Sequence, residues 1–200
     1  MNGNPPGILK GTRPAPGPDG KPKGSTYFPG RSVGIFPIKQ NQIRKLNQAE
    51  GITFTSWIKP KRFASGIIIR FGLDFGLKRG RLYASFRPLP NVRYSRPPQV
   101  ASRISIPHNK WSYVAVTYSK KKKTATLYQN SKPIARRVKL PVLLGGYKKV
   151  NIGKGFRGSI SCVQMYRYDL TSRQLKKKKK RCFRGRKLCF FYYYLLTKSL

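Results

Sequence analysis

Two groups of residues in this sequence have types and spacing that could do chemistry. The first is cationic. Lys120, Lys121, Lys122 and Lys123 are consecutive, and Lys176, Lys177, Lys178, Lys179, Lys180 and Arg181 form a second run that continues through Arg184, Arg186 and Lys187. Closely spaced phosphates or sulfates bind such segments with release of their counterions, and arginine forks match the anionic oxygens in pairs. Lys59, Lys61, Arg62, Arg136, Arg137, Lys148, Lys149, Lys154 and Arg157 fall at other turns. A single lysine run is equally what a solvated loop tip without a ligand looks like. The second group is nominally catalytic or cofactor-binding, and it dissolves on inspection. Gly153-Lys154-Gly155-Phe156-Arg157-Gly158 fits the dinucleotide pattern G-x-G-x-x-G. That chemistry needs a helix to open behind the glycines, facing its N-terminus to the pyrophosphate. Ser159-Ile160-Ser161-Cys162-Val163 follows instead, which is strand-like, so the segment reads as a β-turn. Cys162, Cys182, Cys189 and His108 could nominally ligate zinc, but their spacing fits no zinc module. Cys182 or Cys189 paired with His108 lacks an orienting third group. His108 reads as a turn residue. The acids Asp19, Glu50, Asp74 and Asp169 are scattered, with no glycosidase pair or calcium cage to be assembled from them. The sequence reads as a non-enzyme, with no metal site and no cofactor.

The balance of charge bounds the partners. The chain has 200 residues, with 44 Lys+Arg against 4 Asp+Glu and a formal charge of +40. A field of this sign draws in anions while self-repulsion works against compactness. Nucleic acid, sulfated glycans and anionic lipid headgroups all fit. Aromatic residues make up 12%, more than a chain that only solvates charge would carry, so a packed core is expected. No run approaches the roughly 20 apolar residues of a membrane helix, and Cys189 to Leu196 is too short. Met1 to Gly7 has no apolar stretch of the secretory kind, so the chain either stays inside the cell or continues upstream. No Asn-x-Ser/Thr sequon occurs.

The elements that must position these residues are strands. Residues 1–23 alternate proline with glycine and read as a loop leader without ladder or helix. Beyond them, short β-branched and aromatic runs recur between Gly, Pro, Asn and Lys punctuation. The expected strands are Ser25–Phe28, Ser32–Pro37, Ile52–Ile58, Gly66–Phe71, Arg81–Phe86, Val100–Ile106, Trp111–Tyr118, Thr124–Gln129, Lys132–Leu140, Lys149–Ile152 and Ser159–Tyr168. Short turns and no sustained helical period predict an antiparallel two-sheet sandwich. Trp111–Tyr118 is apolar on both alternating faces, as a central strand is. With Thr124–Gln129 it predicts a hairpin whose tip is Lys120–Lys123, and Asn130 suits the tight turn that follows. One helix start is legible: Thr171-Ser172-Arg173-Gln174 is a capping box, predicting a short helix into the lysine run. Residues 183–200 read as a basic and then aromatic tail, either an extra edge strand or a non-native gene end.

These blocks, in this order, resemble a family. Ile52-Thr53-Phe54-Thr55-Ser56-Trp57-Ile58-Lys59-Pro60 and Asn109-Lys110-Trp111-Ser112-Tyr113-Val114-Ala115-Val116-Thr117-Tyr118 are similar to core strands of laminin G-like, concanavalin A-like lectin/glucanase domains of animal extracellular proteins. Leu127-Tyr128-Gln129-Asn130-Ser131, Val150-Asn151-Ile152-Gly153 and the closing segment Phe156–Tyr166 resemble further blocks, and Tyr27-Phe28-Pro29-Gly30 an opening one. The resemblance covers about residues 24–182 and implies an all-β jelly-roll sandwich with one short C-terminal helix. It also implies a disulfide between Cys162 and Cys182, where related domains join cysteines. Read on their own, these residues are equally a buried thiol and an exposed one. Cys189 would be left for intermolecular pairing or belong to a non-native tail. The calcium-binding members use loop acids that this chain lacks. What the resemblance implies is a non-catalytic extracellular recognition or adhesion module, binding carbohydrate or sulfated glycans through its basic loops. The alternatives are an intracellular nucleic-acid-binding protein or an inactive gene fragment.

Overall fold

The computed structural model describes residues 7–88, 97–140, 142–143 and 149–182. In chain order the elements are β1 (Ile8–Lys10), β2 (Arg13–Ala15), β3 (Ser25–Pro29), β4 (Val33–Pro37), α1 (Gln40–Asn47), β5 (Gly51–Pro60), β6 (Gly66–Arg70), β7 (Leu73–Lys78) and β8 (Arg81–Pro88). They continue with β9 (Gln99–Ser105), β10 (Ser112–Ser119), β11 (Thr124–Gln129), β12 (Lys132–Arg137), β13 (Val142–Leu143), β14 (Lys149–Ile152), β15 (Arg157–Tyr166) and α2 (Ser172–Arg181). One sheet runs β12-β11-β10-β5-β15-β3-β2. The other runs β1-β4-β14-β6-β7-β8-β13, with β9 also on β8. All pairings are antiparallel. The two-sheet jelly-roll sandwich is as expected.

Alternation builds the core. Ile52, Phe54 and Ile58 of β5, Val114, Val116 and Tyr118 of β10, and Leu73, Phe75 and Leu77 of β7 are buried in one cluster between the sheets. Burying each such side chain contributes about 1.5–3 kcal/mol. The opposite residues of β5 and β10 do not face water either. Trp57, Tyr113 and Ala115 join Cys162, Tyr166, Leu170, Leu175 and Cys182 in a second cluster on the outer face of the seven-stranded sheet, involving α2. Hence β10 is buried along its whole length, which its two apolar faces had suggested. Close backbone approach fixes two glycines: a Cβ on Gly66 would strike Gly155 and Phe156, and one on Gly153 would strike the Phe28 ring.

The structure corrects three expectations. The leader is not free of ladders, since β1 and β2 add edge strands to the two sheets. Pro14 is tolerated because an edge strand does not need every N–H. The C-terminal helix is not the only one: α1 precedes β5, with Ile43 buried in the core. Its start lacks a capping box and its first turn lacks acids, so no local signal announced it. Strand β7, unread in the sequence, carries its signal in the alternation of Leu73, Phe75 and Leu77. The tail expectation, with Arg184, Arg186, Lys187 and Cys189, lies outside the described residues.

Candidate polyanion-binding surface

The β10–β11 hairpin projects Lys120, Lys121, Lys122 and Lys123 as an exposed tip. Its backbone is tied down. The Lys120 N–H donates to the Glu50 carbonyl at 2.7 Å, the Lys123 N–H to the Lys120 carbonyl at 3.2 Å, and the Leu140 N–H to the Lys123 carbonyl at 2.9 Å. The Thr124 hydroxyl donates to the Lys122 carbonyl at 2.9 Å. Lys123 takes a positive φ of 47° to close the turn. Four cations thus sit on a fixed backbone with their side chains in solvent. The following turn uses Asn130 and Ser131 at φ 51° and 68°, two left-handed residues in succession, as the expected tight hairpin needs. The Asn130 side chain accepts from the Tyr113 N–H at 3.2 Å.

The second lysine run behaves differently. Helix α2 begins at Thr171, whose hydroxyl accepts from the Gln174 N–H while the Gln174 side chain accepts from the Thr171 N–H. Leu175, its one apolar residue, is fully buried. Cys182, just past its end, is disulfide-bonded to Cys162, with Cα atoms 5.9 Å apart. Between these anchors the helix lies on aromatic rings. Lys178 Nζ sits 5.1 Å from the Tyr166 ring centroid and Lys179 Nζ 5.0 Å from that of Trp57, both inside cation–π range. Trp57 in turn contacts Tyr113, centroid to centroid 5.6 Å. Burial pushes the Tyr113 hydroxyl far above the ordinary tyrosine range, with the Thr55 hydroxyl acting more weakly the other way. Lys178 and Lys179 are half-buried, whereas Lys176, Lys177 and Lys180 are exposed. The Arg181 side chain lies outside the described residues.

The two runs are not brought into one cleft. The start of α2 lies by the hairpin end, because the Thr53 hydroxyl binds the Tyr168 carbonyl and the Leu170 N–H and Gly51 pairs with Ser119. The helical rise then carries Lys176–Lys180 about 8–14 Å further along the sheet. A third group, which sequence reasoning left dispersed, gathers at the opposite end of the sandwich. Arg31, Lys61, Arg62, Lys110, Lys154 and Arg157 are exposed there. The signal for it was available only once the strands were paired. Ion pairs among the described residues include Lys21–Asp19 at 3.3 Å and Arg70–Asp74 at 2.6 Å. The Arg70 guanidinium holds both Asp74 oxygens, at 2.7 and 2.6 Å. Gly153–Gly158 is the β14–β15 turn, closed by the Phe156 N–H on the Gly153 carbonyl at 3.0 Å. His108 is exposed in the β9–β10 turn.

Comparison with known proteins places the fold. The family profile Laminin_G_3, described as Concanavalin A-like lectin/glucanases superfamily, matches residues 38–176. No curated protein matches the chain in sequence. Similar solved structures include the binding domain of botulinum neurotoxin DC in complex with SialylT, at TM-score 0.68 and 15% identity, covering 90% of this chain and 47% of that one. The receptor binding domain of the botulinum neurotoxin C/D mosaic serotype gives TM-score 0.68 at 14% identity, covering 88% and 46%. The binding domain of botulinum neurotoxin DC in complex with rat synaptotagmin II gives 0.67 at 14%, covering 90% and 47%. The chain spans about half the length of these matched chains. At such identities the likeness is one of fold.

Proposed function

This chain belongs to the concanavalin A-like lectin/glucanase superfamily, and on that premise we propose that it is a non-catalytic, extracellular recognition module that grips sulfated glycans through its basic loops. The observation that carries the reading is the β10–β11 tip, where four exposed lysines stand on a backbone already fixed by hydrogen bonds. Little ordering is needed when such a tip meets a polyanion, so counterion release is retained as affinity. Lys176, Lys177 and Lys180 extend the basic surface along α2, and Arg181 is proposed to continue it. The neighbouring solved domains are described as binding domains, one of them in complex with SialylT, which favours recognition over catalysis. A disulfide between Cys162 and Cys182 suits an oxidising, extracellular compartment. The functional unit in this proposal spans residues 24–182, with β1 and β2 extending its sheets.

Heparin chromatography tests it. Retention should fall steeply as salt rises from about 0.05 to 0.5 M. Replacing Lys120–Lys123 together with serine should move elution to lower salt without loss of folding. Unchanged elution would remove the tip from the site. Competition by duplex DNA of equal charge separates this reading from a nucleic-acid binder: DNA displacing heparin at equal charge would favour the latter.

A further inference from the structure

The end of the sandwich opposite the Lys120–Lys123 tip has an unusual make-up. Its turns are stitched to the segment Pro60–Ile67. The Lys61 N–H donates to the Arg157 carbonyl at 3.0 Å, the Ile67 N–H to the Lys154 carbonyl at 2.9 Å, and the Gly80 N–H to the Ala64 carbonyl at 2.8 Å. The Asn109 N–H donates to the Pro60 carbonyl at 2.7 Å, and the Arg79 N–H to the Ser65 hydroxyl at 2.9 Å. Four separate turns are therefore fixed side by side. Lys61, Arg62, Arg79, Lys110, Lys154 and Arg157 are all exposed on them. No acid is among them. Glu50, Asp74 and Asp169 belong to the opposite end, and Asp19 follows the far end of β2.

In the middle of this cationic end stands a phenylalanine. The turn Lys61–Ala64, closed by the Ala64 N–H on the Lys61 carbonyl at 3.1 Å, holds Phe63 at φ 54° with 73% of its surface exposed. Bulky residues rarely adopt that left-handed conformation, and an outlier of this kind points toward function. The Arg62 guanidinium lies 4.9 Å from the ring centroid, so cation and ring form one unit. Ile104, 54% exposed, lies near the same end of β9, where the Ile106 N–H donates to the Gly80 carbonyl at 2.8 Å.

We propose that this end docks on an anionic lipid bilayer, with Phe63 entering the interface and the surrounding lysines and arginines on the headgroups. A sulfated chain or a duplex backbone would satisfy the cations and leave the ring in water. A bilayer with acidic headgroups satisfies both, since each cation near its surface is attracted and the ring leaves water. Among the described residues no helix is long and apolar enough to cross a membrane. This surface is separate from the glycan-binding tip, and its fate does not depend on that reading.

The test uses the full chain with vesicles of phosphatidylcholine alone or with roughly 30 mol% phosphatidylserine, at about 0.15 M salt. Phe63→Asn suits the left-handed turn and should weaken binding to the acidic vesicles about 10- to 100-fold, the range set by burying a phenyl ring. Its heparin elution should stay that of the parent. A Cys189→Ser, Phe63→Cys double variant carrying an environment-sensitive dye should shift blue and lose access to an aqueous quencher on acidic vesicles only. Unchanged vesicle affinity for Phe63→Asn would overturn the proposal, as would a dye that stays in water while the protein binds. An equal loss of heparin affinity in Phe63→Asn would also overturn it, marking this end as a glycan site.

Discussion

At the β10–β11 tip, Lys120–Lys123 stand clear of the sheet on a hydrogen-bonded turn; along α2, Lys178 and Lys179 fold back over Tyr166 and Trp57. The two runs are nearly the same as sequence. They differ because of what lies beneath them. The hairpin leaves the end of its sheet, and among the described residues its four lysines are exposed. The helix lies across a sheet face whose outward residues are large rings, and a lysine stem packs on such a surface while its ammonium sits against the ring. A cation engaged in that way is a poorer partner for an anion than one in solvent. The proposed polyanion footprint is therefore smaller than the lysine count.

The contrast breaks most severely at the disulfide. Cys162 and Cys182 are 20 residues apart in sequence, and opening a loop of that length should cost about 3 kcal/mol. Urea unfolding with and without reductant should show this, with Trp57 fluorescence changing as α2 leaves its rings. The Lys120–Lys123→Ser variant should show the same loss on reduction, since its tip is independent of the strap. An unfolding midpoint indifferent to reductant would mean that α2 is held by its other contacts.

A smaller effect is expected at the start of the helix. Thr171→Ala removes the hydroxyl that accepts from the Gln174 N–H, and should lower stability by about 1 kcal/mol. Thermal melts would read that as a drop in midpoint, and no drop would show the cap to be dispensable beside Leu175 and the disulfide.

The finest test separates two neighbours in the run. Lys179→Ser should cost about 0.5 kcal/mol through the lost Trp57 contact and leave heparin elution nearly unchanged. Lys177→Ser, at an exposed position, should lower the eluting salt with no measurable change in stability. If both variants shift elution equally, the division between ring-bound and solvent-facing lysines has no functional meaning.

Much of this fold was legible. The runs around Trp57, Trp111 and Ile160 carry period-2 patterning with turn residues between them, and period and turn chemistry are local properties. The capping box at Thr171 was read from four residues and is formed. Where local signals were absent or misleading, the reading failed. The proline-rich start conceals β1 and β2, because an edge strand tolerates what a central one does not. Helix α1 begins without a capping box or an acid in its first turn.

The sequence by itself determined the sandwich, the central strand that is buried on both faces, the cationic hairpin tip and, through its family resemblance, the joined cysteines. Tertiary structure alone decided which cations remain in solvent. It placed Trp57 and Tyr166 under a helix that begins beyond residue 170, and it put Phe63 among turns drawn from four separate stretches of chain. The first arrangement depends on a bond between residues 115 positions apart, the Thr53 hydroxyl on the Tyr168 carbonyl, and the second on backbone bonds between distant stretches, such as the Lys61 N–H on the Arg157 carbonyl. A neighbourhood of that kind is set by how strands close into sheets, which no short window of sequence encodes.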